Sequence, residues 1–308
     1  MPRKIAIIAD PGIDTAFALT LALFDPELEV LGIGATAGNI GYEQATRNVQ
    51  IVVEQIDPPR WPRLGAALPI DYDIDATYLH GPGGLGGVEF PCANLLNQIT
   101  SDRLLIDLIQ LYPKEVTIVC LGPLTAVASA LERDPELPFQ VQQLICMGGA
   151  WRVPGDASAV AEFHFYCDPL AARQVLKAGM PITMIPLDAS RNLLFSPTDL
   201  HSLPGPGSRR SQFLQKIIPP GIGATSSALG IEGLHLNDVM GILAASKPEI
   251  LSSKPMVIDV ETRGELTRGM SVIDPHRGKK EAPNVELVVD VEMQAAREYI
   301  SSVLGGRS

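Results

Sequence analysis

Short apolar runs of strand length alternate with segments of helical period along almost the whole chain. That alternation constrains the fold more than any other feature of the sequence. "IAII" (5–8) is followed by "DTAFALTLALF" (14–24), "LEVLGIGAT" (28–36) by "GYEQATRNVQIVVEQI" (41–56), and "EVTIVCL" (115–121) by "PLTAVASALE" (123–132). "QQLICMGG", "DPLAARQVLKAG" and "PITMIPLD" continue it, and "NVELVVDV" with "EMQAAREYISSVLGG" closes it. A strand that is apolar at nearly every position must be covered on both faces, as in parallel sheets flanked by helices. The expectation is an α/β fold: one domain over residues 1–308 with an open, mainly parallel sheet and helices on both faces. The stretch "LPGPGSRRSQFLQKIIPPGIG" (203–223) breaks the rhythm and reads as a loop-like excursion around a short helical piece.

Composition narrows the function classes. A net charge of −11 without any run of Lys or Arg argues against a nucleic-acid surface. The four cysteines, Cys92, Cys120, Cys146 and Cys167, show no CxxC or His-Cys spacing, the pattern of reduced and mostly buried thiols. Met1-Pro2-Arg3-Lys4 runs straight into a strand, and no apolar run reaches the length of a membrane span. The expectation is a cytoplasmic protein with no membrane partner.

Acidic and amide residues recur just after separate strands, and in an open α/β sheet such strand ends face one crevice. Each has a local explanation too. Asp10 and Asp238 stand where a helix N-cap would, and Asp14 sits where the helix dipole favours negative charge. Asn39 suits a turn, and Glu162 with His164 suits one face of a strand edge. Leu121 ends a strand, where its carbonyl would point into the crevice. "GPGGLGG" (81–87) contains GxGxxG, but neither a strand before it nor a clear helix start after it is legible, so a nicotinamide or flavin site is not expected.

Taken together the motifs resemble the inosine–uridine preferring nucleoside hydrolase family over nearly the whole chain. The matching stretches are "DPGID" (10–14), "TAGNI" (36–40), "QATRN" (44–48), His80-Gly81, "GPLT" (122–125), "MGGA" (147–150), "AEF" (161–163), "PITMIPLD" (181–188), Asn237-Asp238 and "GELTRGMSVID" (264–274). The resemblance implies a Rossmann-like domain that hydrolyses the N-glycosidic bond of ribonucleosides in purine and pyrimidine salvage. It also implies a bound calcium ion and a homo-oligomer, dimer or tetramer. By the same resemblance Asp10 is the catalytic base. Asp10, Asp238, the Leu121 carbonyl and Thr15 occupy the metal positions, and Asp14, Asn39, Met147, Asp156 and Glu162 line the ribose pocket. His80, His164 and Asn237 complete the substrate-binding set, with His80 toward the base.

Departures from the family pattern fall in the same places. Thr15 stands where the family has a calcium carboxylate, His164 replaces an asparagine, and Asn237 replaces a histidine that helps a purine depart. Arg191 lies near another position often held by histidine. These changes predict a weakened metal site and poor turnover of purine nucleosides. An alternative reading is a catalytically impaired nucleoside-binding or regulatory homologue.

Overall fold

A computed structural model describes residues 2–93, 98–203, 205, 207–275 and 281–305. In chain order its strands are β1 (Arg3–Ala9), β2 (Leu28–Ala35), β3 (Arg63–Gly65), β4 (Thr117–Leu121), β5 (Gln143–Met147) and β6 (Ile182–Ile185). The short β7 (Leu194–Phe195) and β8 (Leu234–His235) follow, then β9 (Leu251–Met256), β10 (Ile258–Val260), β11 (Ser271–Ile273) and β12 (Val285–Val291). Eight of them form one sheet in the order β3-β2-β1-β4-β5-β6-β12-β9. Every neighbouring pair is parallel except β12 with the edge strand β9.

The continuous apolar strands divide their side chains between two helical layers. Ile5, Ile7 and Ala9 of β1 pack with Phe17, Val52, Ile217 and Leu243, which come from helices on one face. Ala6 and Ile8 pack with Leu104, Leu108 and Val127 from helices on the other. Ile5, Ile7 and Ile8 are wholly buried, and removing each such side chain from water stabilises the fold by roughly 1.5–3 kcal/mol. This two-sided burial is the reason the runs carry no polar alternation.

β1 lies between β2 and β4, with Ala9 beside both Ala35 and Leu121. The chain leaves these strands toward opposite sides, which opens a crevice at their carboxyl ends. Asp10 follows β1, Asn39 follows β2, Leu121 ends β4 and Met147 ends β5.

Several local expectations are corrected. The helix Ile13–Phe24 has Gly12 as its N-cap residue, so Asp10 is not a cap. Asp238 does precede the helix Val239–Ser246, yet its side chain makes no capping bond. Residues 161–169 are not a strand edge: Phe163–Cys167 is helical, because the Glu162 side chain accepts from the main chain of His164 and Phe165 and so caps it. The supposed excursion holds a 21-residue helix, Arg209–Leu229, that carries Pro219 and Pro220 in its interior. The GxGxxG segment follows the one-turn helix Thr77–His80, and Gly81, Gly83, Gly84, Gly86 and Gly87 all take positive φ, so it is a turn-rich loop and not a dinucleotide fingerprint. The cysteines are free thiols, with Cys120, Cys146 and Cys167 buried. Among the described residues no helix is long and apolar enough to cross a membrane.

Candidate active site

Asp10 forms the crevice floor and is fully buried. Its Oδ2 accepts from the Asn39 main-chain N–H at 3.1 Å, and the Asn39 amide donates to the Asp10 carbonyl at 2.8 Å. The Oδ1 atom is buried without any hydrogen-bond partner. Burial pushes the carboxyl up to about 7, while the nearby His164 and the Asn39 N–H draw it down. Gly38 and Gly122 make room for this carboxylate. A Cβ on Gly38 would lie 2.1 Å from Asp10 Oδ2, and one on Gly122 would lie 3.1 Å from Oδ1.

Asp238 approaches the same region from a different part of the chain. Thr15 ties it in: the hydroxyl accepts from the Gly12 N–H at 3.2 Å and donates to Asp238 Oδ2 at 2.6 Å. Burial, reinforced by the Asp14 and Asp10 carboxylates, holds the Asp238 carboxyl well above the usual range. Two buried carboxylates with raised proton affinity, one with an orphaned oxygen in a glycine-lined cradle, fit a bound cation. Their all-oxygen character, extended by the end of β4 at Leu121, suits a hard ion. The Thr15 hydroxyl donates its proton to Asp238, which ties this residue to the carboxylate pair. Among the described residues no group of three or more His, Cys, Asp or Glu side chains that could hold a metal ion is present.

The ribose-side residues gather around a small cavity of about 100 Å³ lined by Asp14, Asn39, His80, Met147, Asp156, Glu162, His164, Asn237 and Asp238. Glu162 accepts from the N–H groups of Gly149, His164 and Phe165 at 3.0, 3.0 and 3.1 Å. Its carboxylate is therefore anchored by main chain. His164 Nδ1 lies 3.3 Å from the Met147 carbonyl and 3.4 Å from Glu162 Oε1, and its Nε2 is 3.6 Å from Asp10 Oδ2. Burial works against the charged ring, but Glu162, Asp10 and Asp238 overcome it and raise His164 to about 9. His80 Nδ1 accepts from the Ile13 N–H at 3.1 Å, with Nε2 4.0 Å from Asp14 Oδ1. His80 thus faces Asp14 and lines both this cavity and the one beside it. Asp156 accepts from the Phe163 N–H at 2.8 Å, and burial pushes it up to about 6.

A second cavity of about 570 Å³ adjoins the first, sharing Asp14, Tyr78, Leu79, His80, Asp156 and Asn237 with it. Its other walls are largely apolar, with Ile13, Leu229, Ile231 and Leu234, and carry Arg191, Thr225 and His235. His235 is absent from the sequence-derived set. It sits on a strand of two residues, β8, too short to leave a periodic signal. Among the described residues six buried side-chain polar atoms lack a partner, and four of them border this crevice: Asp10 Oδ1, Asp14 Oδ1, His235 Nδ1 and Asn237 Oδ1. Such atoms are costly to leave unsatisfied, which marks a place prepared for a polar ligand.

The profile of the inosine–uridine preferring nucleoside hydrolase family matches residues 5–298. The chain is 34% identical over 308 residues to a pyrimidine-specific ribonucleoside hydrolase of Klebsiella pneumoniae subsp. pneumoniae, with 99% of both chains covered. It superposes on a plant nucleoside hydrolase with a TM-score of 0.90 at 27% identity, covering 99% of each chain. A purine-preferring ribonucleoside hydrolase from Gardnerella vaginalis gives 0.89 at 26% identity, covering 99% of this chain and 98% of the other. The chain belongs to the inosine–uridine preferring nucleoside hydrolase family. It is an N-ribohydrolase that cleaves the N-glycosidic bond of ribonucleosides, and its family is metal-dependent. No feature found in the comparisons favours the non-catalytic alternative.

Proposed function

We propose that this protein hydrolyses pyrimidine ribonucleosides such as uridine, with Asp10 as the base that takes the proton of the attacking water. The observation that carries the reading is the buried Asp10 carboxylate at the topological switch point, with Oδ1 unpartnered. Asn237 supports the pyrimidine preference, because an amide cannot protonate a departing purine as an imidazolium would. The pyrimidine-specific relative points the same way.

In this scheme Asp14 receives the ribose hydroxyls, supported by the nearby His80. The Asn39 N–H and the Gly38 cradle hold the Asp10 carboxylate in place to remove a proton from water. Positive charge develops on the sugar as the bond to the base breaks. The carboxylates of Asp10, Asp14 and Asp238 stabilise that charge in a site sheltered from water. Asp10, Asp238 and the Leu121 carbonyl would hold a calcium ion, with Thr15 acting through Asp238. When bound, the ion would keep the two carboxylates ionised and make a coordinated water more acidic. Glu162 and the Met147 carbonyl orient His164 beneath the ribose. We further propose a single domain over residues 1–308, assembled as a cytoplasmic homo-oligomer, dimer or tetramer, on the strength of the family resemblance.

Chromatographic assay of uridine, cytidine and inosine with calcium present tests the reading. Release of uracil and ribose from uridine, faster than release of hypoxanthine from inosine, is expected. Failure to cleave any of the three would overturn it.

A further inference from the structure

We infer that His235 reads the base, its Nδ1 accepting the ring N–H that a uracil-type aglycone carries between two carbonyl groups. The inference rests on the pyrimidine reading above and adds to it the group that recognises the base.

Three histidines border the crevice, and their surroundings differ. His80 accepts through Nδ1 from Ile13, and its Nε2 faces Asp14. His164 has Nδ1 against Met147 and Glu162, and Nε2 against Asp10. In both rings Nδ1 lies within hydrogen-bond distance of a main-chain group and Nε2 faces a carboxylate farther off. His235 differs: its Nδ1 is buried without a hydrogen-bond partner, and the ring lies near the Arg191 main chain. A neutral imidazole that donates through one nitrogen accepts through the other. Burial holds this ring below the ordinary histidine range, which keeps it neutral and leaves Nδ1 an acceptor. Of the remaining histidines, His201 is exposed and bonded to Gln215, and His276 lies outside the described residues.

The wall around His235 suits the same ligand edge. Arg191 borders the same cavity, and one of its terminal nitrogens donates to the Gly155 carbonyl at 3.1 Å. A guanidinium carries five N–H donors, so others are left for a carbonyl of the base. An acceptor and a donor lining one cavity complement an N–H next to a carbonyl. Ile231 and Leu234 supply the apolar surface against which a flat ring rests.

Steady-state kinetics with uridine and N3-methyluridine test the inference on the full-length protein with calcium present. The wild type is expected to prefer uridine by about tenfold or more in kcat/KM, mainly through KM. His235→Phe keeps a ring but removes the acceptor, and should erase most of that preference by worsening uridine. His235→Asn restores an acceptor near the Nδ1 position and should recover a large part of it. Undiminished preference in His235→Phe would overturn the inference, and so would equal use of both substrates by the wild type. A wild type that cleaves uridine without discrimination leaves the pyrimidine reading standing, whereas one that cleaves neither substrate defeats that reading itself.

Discussion

Apart from the unpartnered Asp10 Oδ1, the crevice floor and the cavity above it treat polar atoms in opposite ways. On the floor, three main-chain N–H groups converge on Glu162, Thr15 is bonded at both ends, and His164 lies between carbonyl and carboxylate groups. In the outer cavity apolar side chains surround a few polar groups, and His235 and Asn237 each keep an unpartnered atom. In the proposed function the floor would be preorganised for the part of the substrate that every ribonucleoside shares. The cavity would be left open at the part that varies. Preorganised dipoles act most strongly where charge develops, and specificity is read best by groups that only the right ligand satisfies.

The largest effect that could break this contrast is at Asp10. Asp10→Asn keeps the shape of the floor but removes the base, so kcat should fall by about 10²–10⁴-fold. Folding should be intact by circular dichroism. A variant retaining most of its activity would move the base elsewhere.

Next comes the pH response of the metal-free protein. Burial raises Asp10 from its ordinary 3.8 to about 7, and the surrounding carboxylates raise His164 from 6.5 to about 9 against the opposing burial. In both windows the folded state binds more protons than the unfolded chain. Stability is therefore fullest below the unfolded values and is lost as pH rises through the folded ones. The thermal midpoint should fall as pH climbs from about 4 to about 9, and saturating calcium should flatten the Asp10 part of that fall. A metal-free midpoint that rises across this range would contradict the charge arrangement of the floor.

Glu162→Gln sharpens the comparison at a smaller scale. The amide loses charge and acceptor capacity toward three N–H donors, so unfolding in urea should show a loss of about 1–3 kcal/mol. If KM for uridine changes more than stability does, the carboxylate serves the ribose and not only the main chain.

The smallest shift is expected at Thr15. Thr15→Asp adds a carboxylate next to Asp238 and should tighten calcium binding by about tenfold in calorimetric titration, because affinity follows the charge of the ligand set. Without metal the same substitution should lower the thermal midpoint, since it crowds like charges. Equal calcium affinity in both proteins would remove Thr15 from any account of the metal site.

Strand and helix alternation already determined the layered sheet, because burial on both faces leaves its mark at nearly every position of β1, β4 and β5. The recurrence of Asp10, Asn39 and Asp238 after separate elements likewise pointed to one crevice. Local pattern could not say how those side chains are used. Glu162 and His164 have a strand-like spacing, yet they lie at a helix start that the Glu162 side chain caps, and the distant Gly149 N–H bonds the same carboxylate. His80 and His235 have similar chemistry in the sequence. Only the packing decided that His80 Nδ1 meets the Ile13 N–H while His235 Nδ1 is buried without a partner. Periodicity records which side of an element is buried, a property of neighbours in the chain. Partnership of a polar atom depends on groups tens to hundreds of residues away, and those are brought together only by the fold.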